Sequence, residues 1–120
     1  MGLFTRSKKA KVKRVDVATA QQMIANGAIL LDVRETDEWQ AGHSPQAMHA
    51  PLSSFQDQIK RLPTNKNYVV ICRSGNRSQR ARDILVKKGF VAVDLVGGLK
   101  AWAQADLPVE TTSGRLGHIA

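Results

Sequence analysis

The chain has 120 residues, 42% of them apolar and 23% charged, with a formal net charge of +8 and one cysteine. That length and composition fit one globular domain with a modest core. The lone cysteine excludes an intramolecular disulfide and fits a reducing cytosol, and no apolar run approaches the roughly 18–20 residues of a membrane span.

Residues 1–14 contain Arg6, Lys8, Lys9, Lys11, Lys13 and Arg14 and no acid, which leaves only +2 on the remainder. They predict a flexible, solvated basic arm. Its charge suits contact with an anionic surface, but no aromatic or Gly-rich pattern marks a specific nucleic-acid site. It lacks the apolar stretch of a secretory signal. Arg6 stands where the myristoylation motif suggested by Met1-Gly2 wants Ser or Thr.

Asp16 is a plausible N-cap for a helix over residues 17–26, with Gly27 as its stop. Residues 28–33 form an apolar run closed by Asp32 and Arg34, as expected for a strand buried on both faces. Thr36 predicts the cap of a short helix ending before Gly42, and Arg34 and Glu38, four apart, predict an ion pair. His43-Ser44-Pro45 reads as a turn, and residues 48–51 as a short strand at most. Ser53 or Ser54 caps a helix running to Arg61, where Pro63 follows. Residues 68–72 are a second buried strand, 73–77 a polar loop, and 78–88 a basic amphipathic helix with Ala81, Ile84 and Leu85 on one face. The run Arg77, Arg80, Arg82, Lys87 and Lys88 reads as a solvated face, with Arg77 and Arg80 also raising the potential near the pocket. Residues 91–96 are a third buried strand. Gly97-Gly98 opens a last short helix, and a loose tail follows Pro108. Strands alternating with helices predict a parallel α/β sheet covered on both faces.

Ligands of such sheets bind beyond the carboxyl ends of the strands, and Cys72 sits at such an end. The strand, tight loop and helix start after it form an anion cradle of backbone N–H groups, reinforced by the helix dipole. Gly75 permits the tight turn, and Arg73 and Arg77 add positive charge. This setting favours a thiolate over a thiol. A merely structural cysteine, the common case for one ending an apolar strand, needs no such loop.

Residues 72–78 (CRSGNRS) resemble the active-site loop of single-domain rhodaneses. Residues 31–43 (LDVRETDEWQAGH) are similar to that family's first signature. Residues 97–102 (GGLKAW) with 106–109 (DLPV) are similar to its closing signature. The resemblance implies a three-layer α/β fold, a small parallel sheet flanked by helices on both faces, over residues 15–110, with residues 1–14 as the arm and 111–120 as a C-terminal tail. It implies a cytoplasmic sulfurtransferase that moves sulfane sulfur from a donor such as thiosulfate to cyanide or a cellular thiol through a persulfide on Cys72. A protein acceptor is compatible with this, and no cofactor is needed. Arg73, Ser74, Gly75, Asn76, Arg77 and Ser78 would bind the substrate. Arg34 would support the site, and Asp32 either supports the loop or simply ends its strand.

Two departures stand out. Residues 42–49 (GHSPQAMH) replace a Gly-His-Ile start and a Gly-Ala-containing stretch, and Ala105-Asp106 replaces the more usual Ala-Gly. Phosphatases and arsenate reductases of the same fold use a loop one residue longer, with Arg six positions after the Cys. That position is Ser78 here, and Arg77 comes one residue early. Sulfur transfer is therefore expected over phosphate or arsenate chemistry. A non-catalytic binding module of the same fold is the other alternative, against which the intact Cys72 loop argues. His43 reads as a turn residue, Trp39 and Trp102 as core or pocket wall, and His49 and His118 offer no metal spacing.

Overall fold

The computed structural model describes residues 12–120. Residues 1–11, most of the predicted arm, lie outside the described residues. Five parallel strands form one sheet in the order β1-β5-β4-β2-β3: β1 (Arg14–Val15), β2 (Ile29–Asp32), β3 (Met48–His49), β4 (Asn67–Ile71) and β5 (Val91–Leu95). Between them run α1 (Val17–Ala25), α2 (Thr36–Ala41), a 3-10 turn (Leu52–Ser54) leading into α3 (Phe55–Ile59), and α4 (Arg77–Lys87). Helix α5 (Gly98–Gln104) follows the last strand. The chain is an α/β domain, as its alternating pattern predicts.

The central strands are apolar throughout because both their faces are covered. Leu30, Val69, Ile71, Val93 and Leu95 point to one side, against Ala20 of α1 and Leu99 and Trp102 of α5. Leu31, Val33, Tyr68, Val70, Cys72 and Ala92 point to the other, against Phe55 and Ile59 of α3 and Ala81 and Leu85 of α4. This is the period of two of a strand read on two buried faces at once. Register places Asp32 beside Ile71, so the carboxyl ends of β2 and β4 finish together.

Local signals set the helix ends. Asp16 caps α1, its Oδ1 accepting the Thr19 N–H at 2.8 Å. Helix α2 differs from expectation, because its cap is Glu35 rather than Thr36. The Glu38 carboxylate reaches back to accept the Glu35 N–H at 3.0 Å, satisfying a donor that would otherwise be orphaned. Helices α1, α4 and α5 end alike, on a left-handed residue whose N–H bonds back into the last turn: Gly27, Gly89 and Asp106. Asp106, at φ 61, occupies the position where Gly is more usual. Asp is among the few residues that visit this region readily.

Three expectations need correcting. Lys13 and Arg14 belong to the sheet edge rather than to a flexible arm: the Asp94 N–H donates to Lys13 O, and Arg14 pairs with Asp94. Arg82 is not on a solvated face. It is buried, with Nη1 2.5 Å from Asp94 Oδ1, because a buried carboxylate in β5 requires a cation over it. The segment after Pro108 is not loose. A turn at Thr111–Gly114 reverses it, Glu110 pairs with His43, and the His118 N–H donates to Ala41 O at 3.0 Å. Gly42 admits this approach, since a Cβ there would lie 2.6 Å from His118 O.

The unusual stretch after Gly42 is folded by aromatic stacking. The Trp39 ring stacks with both His43, at a centroid distance of 3.6 Å, and His49, at 4.6 Å, both nearly parallel to it. His43 Nδ1 lies 2.6 Å from Trp39 O, so His43 is a structural turn residue here.

Candidate active site

Cys72 is the first residue past β4, and only 1% of it is exposed. The loop curls over its side chain. The Gly75 N–H donates to Cys72 Sγ at 3.1 Å, and Ser78 Oγ lies 3.4 Å from the same sulfur. Gly75 has φ +107, a conformation that L side chains rarely adopt. Ser78 is the second residue of α4, so the helix N-terminus, the positive end of its dipole, lies beside the sulfur. Helix α5 closes the loop from the other side. The Leu99 N–H donates to Cys72 O at 2.7 Å, and the Lys100 N–H to Arg73 O at 3.1 Å.

The charged residues are arranged differently from the sequence reading. Arg34 is fully buried, and it clasps Asp32 rather than Glu38: Nε and Nη2 donate to the Asp32 carboxylate at 2.8–3.1 Å. Its remaining N–H groups hold the main-chain carbonyls of Glu38, within α2, and Gly42, its C-cap, so the clasp ties α2 to the end of β2. The Asp32 side chain thus meets Arg34, not the loop. Glu38 turns instead to Arg77, which donates to its two oxygens at 2.7 and 2.8 Å. Both partners are local in neither direction, being separated by 39 positions, and only the tertiary fold joins them. Arg73 is exposed, and its Nε donates to the Ala120 carbonyl oxygen at 3.0 Å. Ser74 and Asn76 are exposed on the loop rim.

Beside the loop opens a cavity of about 580 Å³, lined by Leu52, Ser53, Phe55, Arg77, Arg80 and Ile84 among others. No group of three or more potential metal ligands occurs among the described residues. No helix among them is long and apolar enough to cross a membrane.

The Rhodanese-like domain family model matches residues 16–105, which include Cys72 and its loop. The chain belongs to the rhodanese family. It is 39% identical over 103 residues to a protein named thiosulfate sulfurtransferase GlpE from Pseudomonas savastanoi pv. phaseolicola, covering 85% of this chain and 96% of that one. It is 35% identical over 94 residues to a putative sulfurtransferase, YtwF, from Bacillus subtilis, covering 77% and 91%. Among solved structures, a rhodanese-related protein from Thermoplasma volcanium superposes with a TM-score of 0.75 at 33% identity, covering 81% of this chain and 96% of that one. The chain is a rhodanese-type sulfurtransferase.

In this rhodanese the Glu38–Arg77 pair has a pH signature. The two Arg77 hydrogen bonds hold the Glu38 carboxyl down at about 2, against an opposing push from burial and with help from the Glu35 N–H. The ordinary value is 4.5. The unfolded chain therefore binds the proton first as pH falls. The stabilisation is complete above 4.5 and disappears as pH drops from there through about 2. In urea unfolding, Glu38→Gln is expected to be less stable than wild type by about 1–2 kcal/mol at neutral pH. The gap narrows steadily below pH 4.5. A gap that stays constant down to pH 2.5 contradicts the assignment.

Sequence reading points to the Cys72 loop but not to all of the groups that hold it. Glu38, Arg14, Gln79 and the α5 main chain all bear on the loop. The one local signal is Gln79, in the first turn of α4 and four residues after Gly75.

Proposed function

We propose that Cys72 is the nucleophile and carries sulfur as a persulfide between a thiosulfate-like donor and a thiophilic acceptor. The observation that carries this reading is the pair of groups on Cys72 Sγ, the Gly75 N–H that donates to it and the Ser78 hydroxyl in hydrogen-bond reach. Both can donate to a thiolate. The Cys72 thiolate attacks the outer sulfur of thiosulfate. The S–S bond of the donor breaks, sulfite leaves with the electron pair, and the enzyme holds Cys72–S–S⁻. The negative charge moves outward by one atom, into the loop N–H groups. Cyanide or a thiolate then attacks the terminal sulfur and releases Cys72 as the thiolate. No step requires a base.

The sixth position after Cys72 supports sulfur over phosphate. Ser78 is fully buried there and turns its hydroxyl to the sulfur, whereas a phosphate cradle needs a guanidinium. Arg77 is occupied by Glu38. Attraction of the anionic donor accordingly rests on the loop N–H groups and on Arg73 at the rim, rather than on two loop arginines. Ser74, Gly75, Asn76, Arg77 and Ser78 shape the cradle, and Asp32 and Arg34 support it through α2. The cavity between the 3-10 turn and α4 offers the acceptor its approach. A lone reduced thiol suits a cytoplasmic setting.

Incubating the full chain with thiosulfate and recording its intact mass tests the reading. The expected result is a gain of one sulfur atom, removed by cyanide with formation of thiocyanate. A folded protein with free Cys72 and no adduct overturns it.

A further inference from the structure

Two side chains from outside the loop converge on one of its atoms. Gln79 Nε2 donates to the Gly75 carbonyl oxygen at 2.8 Å, and Arg14 Nη2 donates to it at 3.3 Å. Arg14 is itself held in place. Its Nε donates to Asp94 Oδ2 at 3.0 Å, and the other Asp94 oxygen is taken by Arg82. Asp94 is fully buried, so it is a fixed anchor. The fit is close: a Cβ on Gly75 would lie 3.1 Å from Arg14 Nη2.

The orientation of that carbonyl matters to the sulfur. In a trans peptide the N–H points opposite to the C=O, and no cis peptide occurs among the described residues. Fixing Gly75 O therefore fixes the direction of the Asn76 N–H. Gly75 is left-handed at φ 107, and Asn76 is right-handed at φ −88, ψ −54. Successive residues of opposite hand turn their N–H groups toward one point and make an anion-binding concavity. The Gly75 N–H already points at Cys72 Sγ. A cation on the carbonyl also polarises the peptide and strengthens its N–H as a donor.

We propose that Arg14 and Gln79 are positioning residues that clamp the Gly75–Asn76 peptide, so that the Asn76 N–H meets the terminal sulfur carried by Cys72. The inference rests on the reading of Cys72 as the persulfide carrier. Arg14 acts through the peptide and does not touch the sulfur. It also makes the edge strand, far from Cys72 in sequence, part of the transfer machinery.

The test uses the full chain with Gln79→Leu, Arg14→Met, the double variant and Arg14→Lys. Lys87→Met, at the far end of α4, controls for the loss of one positive charge. The readouts are kcat and KM for thiosulfate–cyanide turnover, the rate of Cys72 alkylation by iodoacetamide against pH, and the urea midpoint. Each single loss is expected to lower kcat about tenfold, and the double loss about a hundredfold, with KM changed less than about threefold. Arg14→Lys recovers part of the rate, Lys87→Met matches wild type, and the alkylation profile of the double variant moves to higher pH. A double variant with wild-type kcat overturns the proposal. So does a rate loss that vanishes once only folded protein is counted, or one that Lys87→Met reproduces. If the wild type itself takes no sulfur from thiosulfate, the Cys72 reading fails and the alkylation profiles decide the clamp alone. A profile moved in the double variant supports it, and an unmoved one overturns it.

Discussion

Replacing Cys72 with Ser is expected to leave a folded protein whose sulfur transfer is at least about a thousandfold slower. Cys72 is the only cysteine in the chain, so no second thiol can take over. The nearest alternative nucleophile is the Ser78 hydroxyl, 3.4 Å away, and a hydroxyl at neutral pH is neither ionised nor soft enough to hold sulfane sulfur. The fold should tolerate the change. The site is buried, but the Gly75 N–H and the Ser78 hydroxyl offer a serine oxygen its hydrogen bonds, so no unpaired polar group is created. Thiocyanate formation in steady state measures the loss, and a urea midpoint checks the fold. Retention of more than a tenth of the activity in a cysteine-free chain would rule out the covalent route.

How the loop reaches that chemistry was only partly legible in the residues. The central strands were plain because both faces are buried, so Leu30-Leu31 and Val69-Val70-Ile71 read as unbroken apolar runs. The Cys72 loop was plain because glycine and helix-cap chemistry is local. Its ion pairs were not. Arg34 and Glu38 stand four apart and invite pairing, yet Arg34 begins before α2 and folds back on Asp32, which frees Glu38 for Arg77. A burial preference also outweighed the helical charge run at Arg82, because Asp94 sits inside the sheet and needs a counter-charge. Arg14 reads as one more charge of a basic arm, since nothing local distinguishes it from Lys13. Only strand pairing with β5 brings it to Asp94 and the loop. The Thr-Thr-Ser-Gly stretch at 111–114 carried ordinary turn chemistry. It reads as a loose end because the contact that orders it, at Gly42, is distant in sequence.

The junction of α5 with the loop predicts the second large effect. Gly98→Ala is expected to destabilise the domain by about 2–4 kcal/mol and to cut sulfur transfer in the remaining folded protein about 10- to 100-fold. Gly98 has φ +60, and a Cβ on it would lie 2.5 Å from Cys72 O and 2.7 Å from both the carbonyl carbon and oxygen of Arg73. These atoms are main chain, so they cannot swing aside as a side chain would. The loop itself must move, and with it the bonds from the Leu99 and Lys100 N–H groups that hold the Cys72 and Arg73 carbonyls. Gly27→Ala separates the two causes. Gly27 is also left-handed, at φ +102, but a Cβ there meets nothing within 4 Å. It should cost only the backbone penalty of about 1–2 kcal/mol and leave transfer unchanged. Urea midpoints and turnover of the two variants, measured side by side, decide the matter. Equal midpoints with full activity in both would mean that the loop does not depend on the close approach of α5. A larger loss confined to Gly98→Ala, in rate as well as stability, ties the position of Cys72 to that contact.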